Sequence, residues 1–209
     1  MDGGYVINGT KNWVTNGHEA DYFAIVAKAN DDLSKTLMLF VKKEDDGIKI
    51  VSNPKKADAN FVSASTIKFD DCFVPKERLI SDEGLKGALS TITYSRLFVA
   101  AHALGHTKQV HDEAVDYLGG RIQFGAPFIK NQGIQWLLAN LYSELEAVRW
   151  LTYHAASLSD QNKTDATKIA MAKLRATELA MKATTQSAQL LGSYGILESF
   201  PMERKNEIR

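Results

Sequence analysis

The chain has 209 residues, and its 25 Lys and Arg balance 25 Asp and Glu, so the formal net charge is zero. That length suits one large or two small domains with a real core, whereas gripping nucleic acid through its phosphates needs clustered excess positive charge. A single cysteine, Cys72, excludes an internal disulfide framework and a thiolate metal cluster, and no apolar run approaches the roughly 18–20 residues of a membrane span.

The amino terminus lacks a basic-then-apolar leader pattern. MDGGYVINGTK enters a strand pattern at once, as expected for a piece cut from a larger protein. From residue 5 to about 75 the pattern is β: YVINGTK, YFAIVAK, TLMLFVKK, IKIV and ASTIKFDDCFV are short and rich in β-branched and aromatic residues. Turn signals fall at Asn8-Gly9, Asn16-Gly17, Asp31-Asp32, Asp46-Gly47 and Asn53-Pro54. Thr66, Lys68 and Asp70 alternate with Ile67 and Phe69. Closely spaced strands without intervening helices predict an antiparallel sandwich or barrel.

At Pro75 the period changes. Three long helices are expected over about 84 to 119, 129 to 160 and 164 to 191. In the second, Ile134, Leu137, Leu138, Leu141, Leu145, Val148 and Leu151 form one apolar stripe. Thr164-Asp165 reads as an N-cap of the third and Gly192 as its stop. That helix is rich in alanine, which permits close helix approach. The whole reads as an antiparallel bundle, an arrangement that ordinarily has a fourth helix, and the fold class is α+β.

Trp13 and Thr15, in NWVTNG, share a face if the strand continues through them. An aromatic plate beside a hydroxyl can stack on a planar ring and hydrogen-bond its edge; the plainer reading is a strand-end Trp capping the sheet core. In GGRIQFG, Arg121, Gln123 and Phe124 follow a helix end and could hold a phosphate and its neighbouring sugar or base. The alternative is a helix corner with a surface Arg and a buried Phe. In QLLGSYG, Gly192 and Gly195 would let backbone approach a ligand, or simply form a C-cap and loop. His102 and His106 lie four apart, a spacing that can bind zinc, but no third ligand accompanies them. His111 and His154 match no pattern, and Cys72 reads as a small buried apolar residue.

Taken in order, GYVINGTKNWVTNG, IKFDDCFVPKERLI, SRLFVAAHALG, RIQFGAPF and QLLGSYGILESFPMER resemble the acyl-CoA dehydrogenase family over essentially the whole chain. The resemblance implies a partial middle β-domain over 1–80 and the C-terminal helical bundle over 81–209, without the family's N-terminal helical domain. It implies FAD as cofactor. Residues matching Trp13 and Thr15 pack against the flavin ring. Those matching Arg121, Gln123 and Phe124 reach the adenine-dinucleotide half, typically in a neighbouring subunit, with Gln189, Gly192 and Ser193 contributing. A homo-oligomer, dimer or tetramer, is therefore implied. Glycine is usual where Ser193 stands. Arg96 matches a family arginine on the bundle helix near the catalytic base, and is assigned to the substrate.

The implied reaction is α,β-dehydrogenation of an acyl-CoA thioester, with an electron-transfer flavoprotein or similar acceptor. A carboxylate takes the α-proton and the flavin takes the β-hydride. The family's usual base, a glutamate in a YEGT-like loop, has no match here, and the minority position holds Ser95. Lys205-Asn206-Glu207-Ile208 resembles the family's downstream motif joined after a deletion; Glu198, Glu203 and Glu207 are the nearby carboxylates, read as solvated. Residues 53–65 lack the family's Gly-x-Arg-rich segment at the acyl-CoA site. The alternative implied by the empty base positions is a non-catalytic FAD-binding or assembly subunit. A plain binding module would bind no flavin. The setting expected is cytoplasmic, or the mitochondrial matrix if a transit peptide has been removed.

Overall fold

The computed structural model describes residues 3–30, 32, 34–56 and 62–197. These form two compact units, Met1–Thr91 and Ile92–Arg209, and the division falls inside one long helix.

The first unit carries six strands: β1 (Gly4–Thr15), β2 (Tyr22–Lys28), β3 (Thr36–Lys42), β4 (Ile48–Ser52), β5 (Ala64–Pro75) and β6 (Leu79–Ser81). They make two antiparallel sheets, ordered β1-β5-β4 and β2-β3-β6. Ile7, Ile67, Phe69, Cys72 and Val74 from one sheet and Phe23, Leu39 and Val41 from the other form one core, so the fold is a sandwich. Burying each such large aliphatic or aromatic side chain contributes about 1.5–3 kcal/mol. Cys72 is buried here, as its sequence setting implies, and burial pushes its thiol pKa up.

Alternation along β5 holds but changes phase. Ser65, Ile67 and Phe69 are buried, then Cys72 and Val74. The slip comes from a bulge: Ile7 pairs with Cys72 and Gly9 with Phe69, so Asp70 and Asp71 together oppose Asn8. Asp71 takes the left-handed conformation with φ of 50°, and its N–H donates to Asn8 Oδ1 at 2.7 Å. Asn8-Gly9 is therefore not a turn. A polar pair that elsewhere reverses the chain here supports an irregular strand partner, and β1 runs on through it. Of the Asp31-Asp32 turn, Asp31 lies outside the described residues.

The helical elements are α1 (Gly84–Gly120), α2 (Gln132–Asp160) and α3 (Ala166–Leu191), with a small hairpin of β7 (Ile122–Gln123) and β8 (Ala126–Pro127) after α1. The start of α2 lies three residues later than expected because Phe128–Lys130 forms a 3-10 turn and Asn131 caps the helix, accepting from Gly133 N. Asp165 caps α3, accepting from Thr167 N and Lys168 N. The bundle core joins Ala100, Ala103 and Leu104 of α1, Leu141, Leu145 and Val148 of α2, and Ile169, Ala172, Ala176 and Ala183 of α3. Ala172, Ala176 and Ala183 of α3 face this core, where small side chains permit close helix approach, while Ala166 and Ala170 are exposed. No helix among the described residues is long and apolar enough to cross a membrane.

Candidate functional site

Trp13 lies at a second bulge. Lys11 pairs with Ile67 and Val14 with Ser65, so Asn12 and Trp13 together oppose Thr66. Trp13 takes a left-handed backbone, φ of 59°, rare for a bulky residue. The Thr66 hydroxyl donates to Asn12 Oδ1 at 3.0 Å and pins the neighbouring bulge residue. The indole is 70% exposed, so it does not cap the sheet core. Val14 packs toward the core while Thr15 is exposed, leaving the Trp13 and Thr15 side chains both accessible. The Asn16-Gly17 turn follows as expected, with Asn16 at φ of 55° and Gly17 N donating to Val14 O. A bulge re-aims a side chain, and strain in a non-glycine residue of this kind concentrates at working sites.

In the helical unit, Phe124-Gly125 forms the turn of the β7–β8 hairpin. Both residues have positive φ, 52° and 78°, as a two-residue type I′ turn requires. Phe124 is 101% exposed, so the buried-Phe reading of this corner is wrong: the turn lifts the ring off the surface. Phe128 N donates to Arg121 O at 2.7 Å and closes the hairpin base. Gln123 Nε2 donates to the carbonyl of Ile122.

Arg121 Nη1 donates to the Tyr117 hydroxyl at 3.0 Å, and its guanidinium lies 5.8 Å from the centre of that ring. No acidic side chain among the described residues pairs with it. A half-buried guanidinium held by a phenol and a π face, with no carboxylate, keeps its charge for an anion. Tyr117 also meets Tyr194, ring centres 5.8 Å apart. Tyr194 belongs to the 3-10 turn Gly192–Ile196, so Tyr117 links the Arg121 corner to the segment carrying Gly192 and Ser193. Sequence reasoning missed Tyr117; its place four residues before Arg121, one helical turn away, was the available signal.

Gly192 ends α3 with φ of 59° and ψ of −134°, which an L side chain resists, and open space surrounds it. Ser193 is not among the positive-φ residues, so serine there carries no such strain. Gly195 makes its close approach to its own chain: a Cβ would stand 2.3 Å from Ala188 O. That glycine packs the turn against α3 and is not a ligand contact. Gln189 is exposed on the last turn of α3.

Arg96 lies half-buried on α1 and makes no ion pair or hydrogen bond among the described residues. Ser95 donates its hydroxyl to Ile92 O at 3.0 Å, a bond within its own helix that does nothing to activate it. Thr184 spends its only hydroxyl proton on Ala180 O, so His106 Nε2, 3.2 Å from Thr184 Oγ1, must be the donor. His106 therefore has a hydrogen-bond partner across the bundle. In the β unit, Asn53, Lys55, Lys56, Val62 and Ser63 border a cavity of about 430 Å³. Residues 57–61 and the carboxylates Glu198, Glu203 and Glu207 lie outside the described residues.

Family models match both units: the acyl-CoA dehydrogenase middle domain over residues 1–72, and the acyl-CoA dehydrogenase C-terminal domain over residues 82–207. The chain belongs to the acyl-CoA dehydrogenase family. It is 39% identical to benzylmalonyl-CoA dehydrogenase of Aromatoleum aromaticum, over 98% of this chain and 55% of that protein. Among solved structures it resembles butyryl-CoA dehydrogenase from Megasphaera elsdenii, with a TM-score of 0.91 and 31% identity over 98% of this chain and 54% of that one. A chain from a structure described as the electron transferring flavoprotein of Acidaminococcus fermentans is equally similar in fold, with a TM-score of 0.91 and 34% identity over 98% and 55% of the two chains. The chain spans about half the length of the curated relatives it matches.

Proposed function

We propose that this chain supplies the flavin-binding and much of the substrate-binding part of an FAD-dependent acyl-CoA dehydrogenase, acting on an acyl-CoA thioester. The observation that carries the reading is the pair of aromatic residues, Trp13 and Phe124, held exposed on left-handed backbone, at two of the positions that the family resemblance assigns to FAD. Neither exposure nor strain is needed for packing, so both call for a flat ligand. The residues fit the cofactor. Trp13 presents a plate for the ring system, and Thr15 a hydroxyl for its edge. Arg121 offers an uncompensated charge to the pyrophosphate. Gln123, Gln189 and the accessible Gly192-Ser193 backbone offer polar groups beside it. FAD, when bound, accepts the hydride.

Arg96 is the residue for the thioester end, a cation on α1 with no protein partner among the described residues. No described residue fills the role of α-proton base: Ser95 is bonded within its own helix. The reading therefore covers binding and orientation by this chain and assigns its base to no residue. Arg121, Gln123 and Phe124 serve a neighbouring subunit in this reading, which makes the assembly a homo-oligomer. The exposed Trp136, Trp150 and Tyr153 of α2 support that, since aromatic residues are enriched at protein interfaces. Likeness to the Acidaminococcus chain supports an electron-transfer flavoprotein as redox partner.

The test is visible absorption of the purified chain after incubation with FAD and gel filtration. Retained flavin bands are expected. Anaerobic addition of butyryl-CoA then separates the two forms of the reading. Bleaching marks a dehydrogenase; retained flavin without bleaching marks a non-catalytic FAD-binding subunit, which the position of Ser95 favours. A colourless chain would sink the flavin reading altogether.

A further inference from the structure

We propose that Tyr117 is a positioning residue for the dinucleotide end of this site: its hydroxyl and ring fix Arg121, and its ring docks the Gly192–Ile196 turn, so that two separate anion-facing segments act as one rigid cradle. The inference rests on the reading of Arg121 as a ligand of the flavin dinucleotide.

Three contacts converge on this one side chain. The hydroxyl accepts from Arg121 Nη1 at 3.0 Å, the guanidinium lies 5.8 Å from the ring centre, and the Tyr194 ring lies 5.8 Å away at a tilt of 53°. Tyr117 is itself anchored, packing against the cluster of Val110, Ala114, Leu118, Leu138 and Leu191. That cluster includes the last residue of α3, immediately before Gly192. Tyr117, in the last turn of α1 and four residues before Arg121, is therefore tied to the helix end that carries Gly192 and Ser193.

The choice of partner matters. A carboxylate in place of the phenol would orient Arg121 equally well but would neutralise it, so an incoming phosphate would have to displace it. A phenol hydroxyl orients the guanidinium through one N–H and leaves four for a ligand. The ring face adds attraction for the cation without a competing negative charge. Arginine side chains carry about 2 kcal/mol of rotamer entropy. Fixing that freedom before the ligand arrives removes part of the ordering cost of binding.

The experiment is a double-mutant cycle on the full chain, read by calorimetric binding of FAD, ADP and riboflavin. Tyr117→Phe keeps the ring contacts and removes the hydroxyl. The dissociation constants of FAD and ADP are expected to rise about three- to tenfold, in line with loss of one hydrogen bond, while riboflavin, which lacks phosphate, is unchanged. Tyr117→Leu is expected to have a larger effect, with Tyr117→Phe the partial rescue. In an Arg121→Ala background, Tyr117→Phe should add nothing. Equal loss for all three ligands, or an additive effect in the Arg121→Ala background, would show a merely structural role and overturn the proposal. A cofactor-free readout separates this from the flavin reading. In the unliganded chain, nitrogen-15 spectra should show hindered rotation of the Arg121 guanidinium in the wild type and averaging in Tyr117→Phe. Identical Arg121 spectra in the two chains overturn the positioning role whatever FAD does. A wild type that shows the hindered arginine but binds neither FAD nor ADP overturns the flavin reading alone.

Discussion

Trp13 in the β unit and Phe124 in the helical unit reach the same end by different means. Each is an aromatic residue on left-handed backbone, exposed to solvent. Trp13 owes its conformation to a bulge embedded in the β1–β5 pairing, where Ile67 on one side and Ser65 on the other fix the register. Phe124 owes its conformation to a two-residue turn whose flanking strands are two residues each. The bulge is held by long-range pairing, the turn by local geometry. Strain at the bulge is therefore distributed over a whole strand pair, while strain at the turn rests on the ladder between Ile122-Gln123 and Ala126-Pro127 and on the bond from Phe128 N to Arg121 O.

The largest effects should separate the chemistry of the two regions. Arg121→Ala removes a charged donor from the turn region, and charged hydrogen bonds are worth about 1.5–3 kcal/mol. FAD and ADP affinity should both fall about ten- to a hundredfold by titration calorimetry. Trp13→Ala should weaken FAD and riboflavin but leave ADP untouched, because the bulge addresses the ring system alone. If both substitutions weakened ADP alike, the division of labour between the regions would be lost.

A smaller effect should separate the scaffolds. In the β unit, Arg78 Nη1 donates to both oxygens of Asp45, at 2.9 and 2.7 Å, and Lys42 N–H donates to Asp45 Oδ2. Burial alone would push the Asp45 carboxyl up, but these bonds outweigh it and hold its pKa below the usual value. A depressed folded pKa means stabilisation that is present above the unfolded value, about 3.9, and is lost as pH falls through the folded one. Arg78→Met should cost the unit about 1–3 kcal/mol at neutral pH by leaving a partly buried carboxylate short of donors. Asp45→Asn should flatten its loss of stability below about pH 4. Thermal melts from pH 3 to 7 decide this, and an unchanged acid limb in Asp45→Asn would remove the pair from the account.

How much of this could be read from the chain depended on the range of the contacts involved. The strands were legible because alternation is local: Ile67 and Phe69 are buried and Lys68 is exposed, as their spacing says. The helix ends were legible because Asp165 and Gly192 act on adjacent backbone. Asn8-Gly9 misled because the same dipeptide serves a turn or a bulge, and only the partner residues Asp70 and Asp71, far along the chain, decide which. Trp13 and Thr15 are both exposed, but the i, i+2 spacing that would put them on one face presumes an unbroken strand, and the exposure of Trp13 depends on Thr66 opposing two residues, which no window around Trp13 contains. The order of motifs carried the family; the geometry then removed the plainer alternative of a buried Phe124, which is fully exposed. Tyr117 was overlooked because its value lies in joining Arg121 to Tyr194, and the second of these is distant in sequence.

The smallest effects should show which region stores strain for its function. A non-glycine residue in the left-handed region costs roughly 1–2 kcal/mol, and asparagine tolerates it better than most. Phe124→Asn converts the hairpin turn to Asn-Gly, the pair most favoured in a type I′ turn. Because Phe124 is fully exposed, no packing is lost, and a gain of about 0.5–1 kcal/mol is expected, roughly 1–4 °C in melting temperature for a chain of this size. Trp13→Asn should gain less, since the part of the indole that is covered, near a third of its surface, is given up with the strain. Both variants should bind FAD more weakly than the wild type even where they are more stable. That opposition of stability and affinity is the signature of residues kept for a ligand. A Phe124→Asn chain that melts lower than the wild type would mean that the exposed ring stabilises the hairpin itself, and the contrast between a strained turn and a register-held bulge would have to be abandoned.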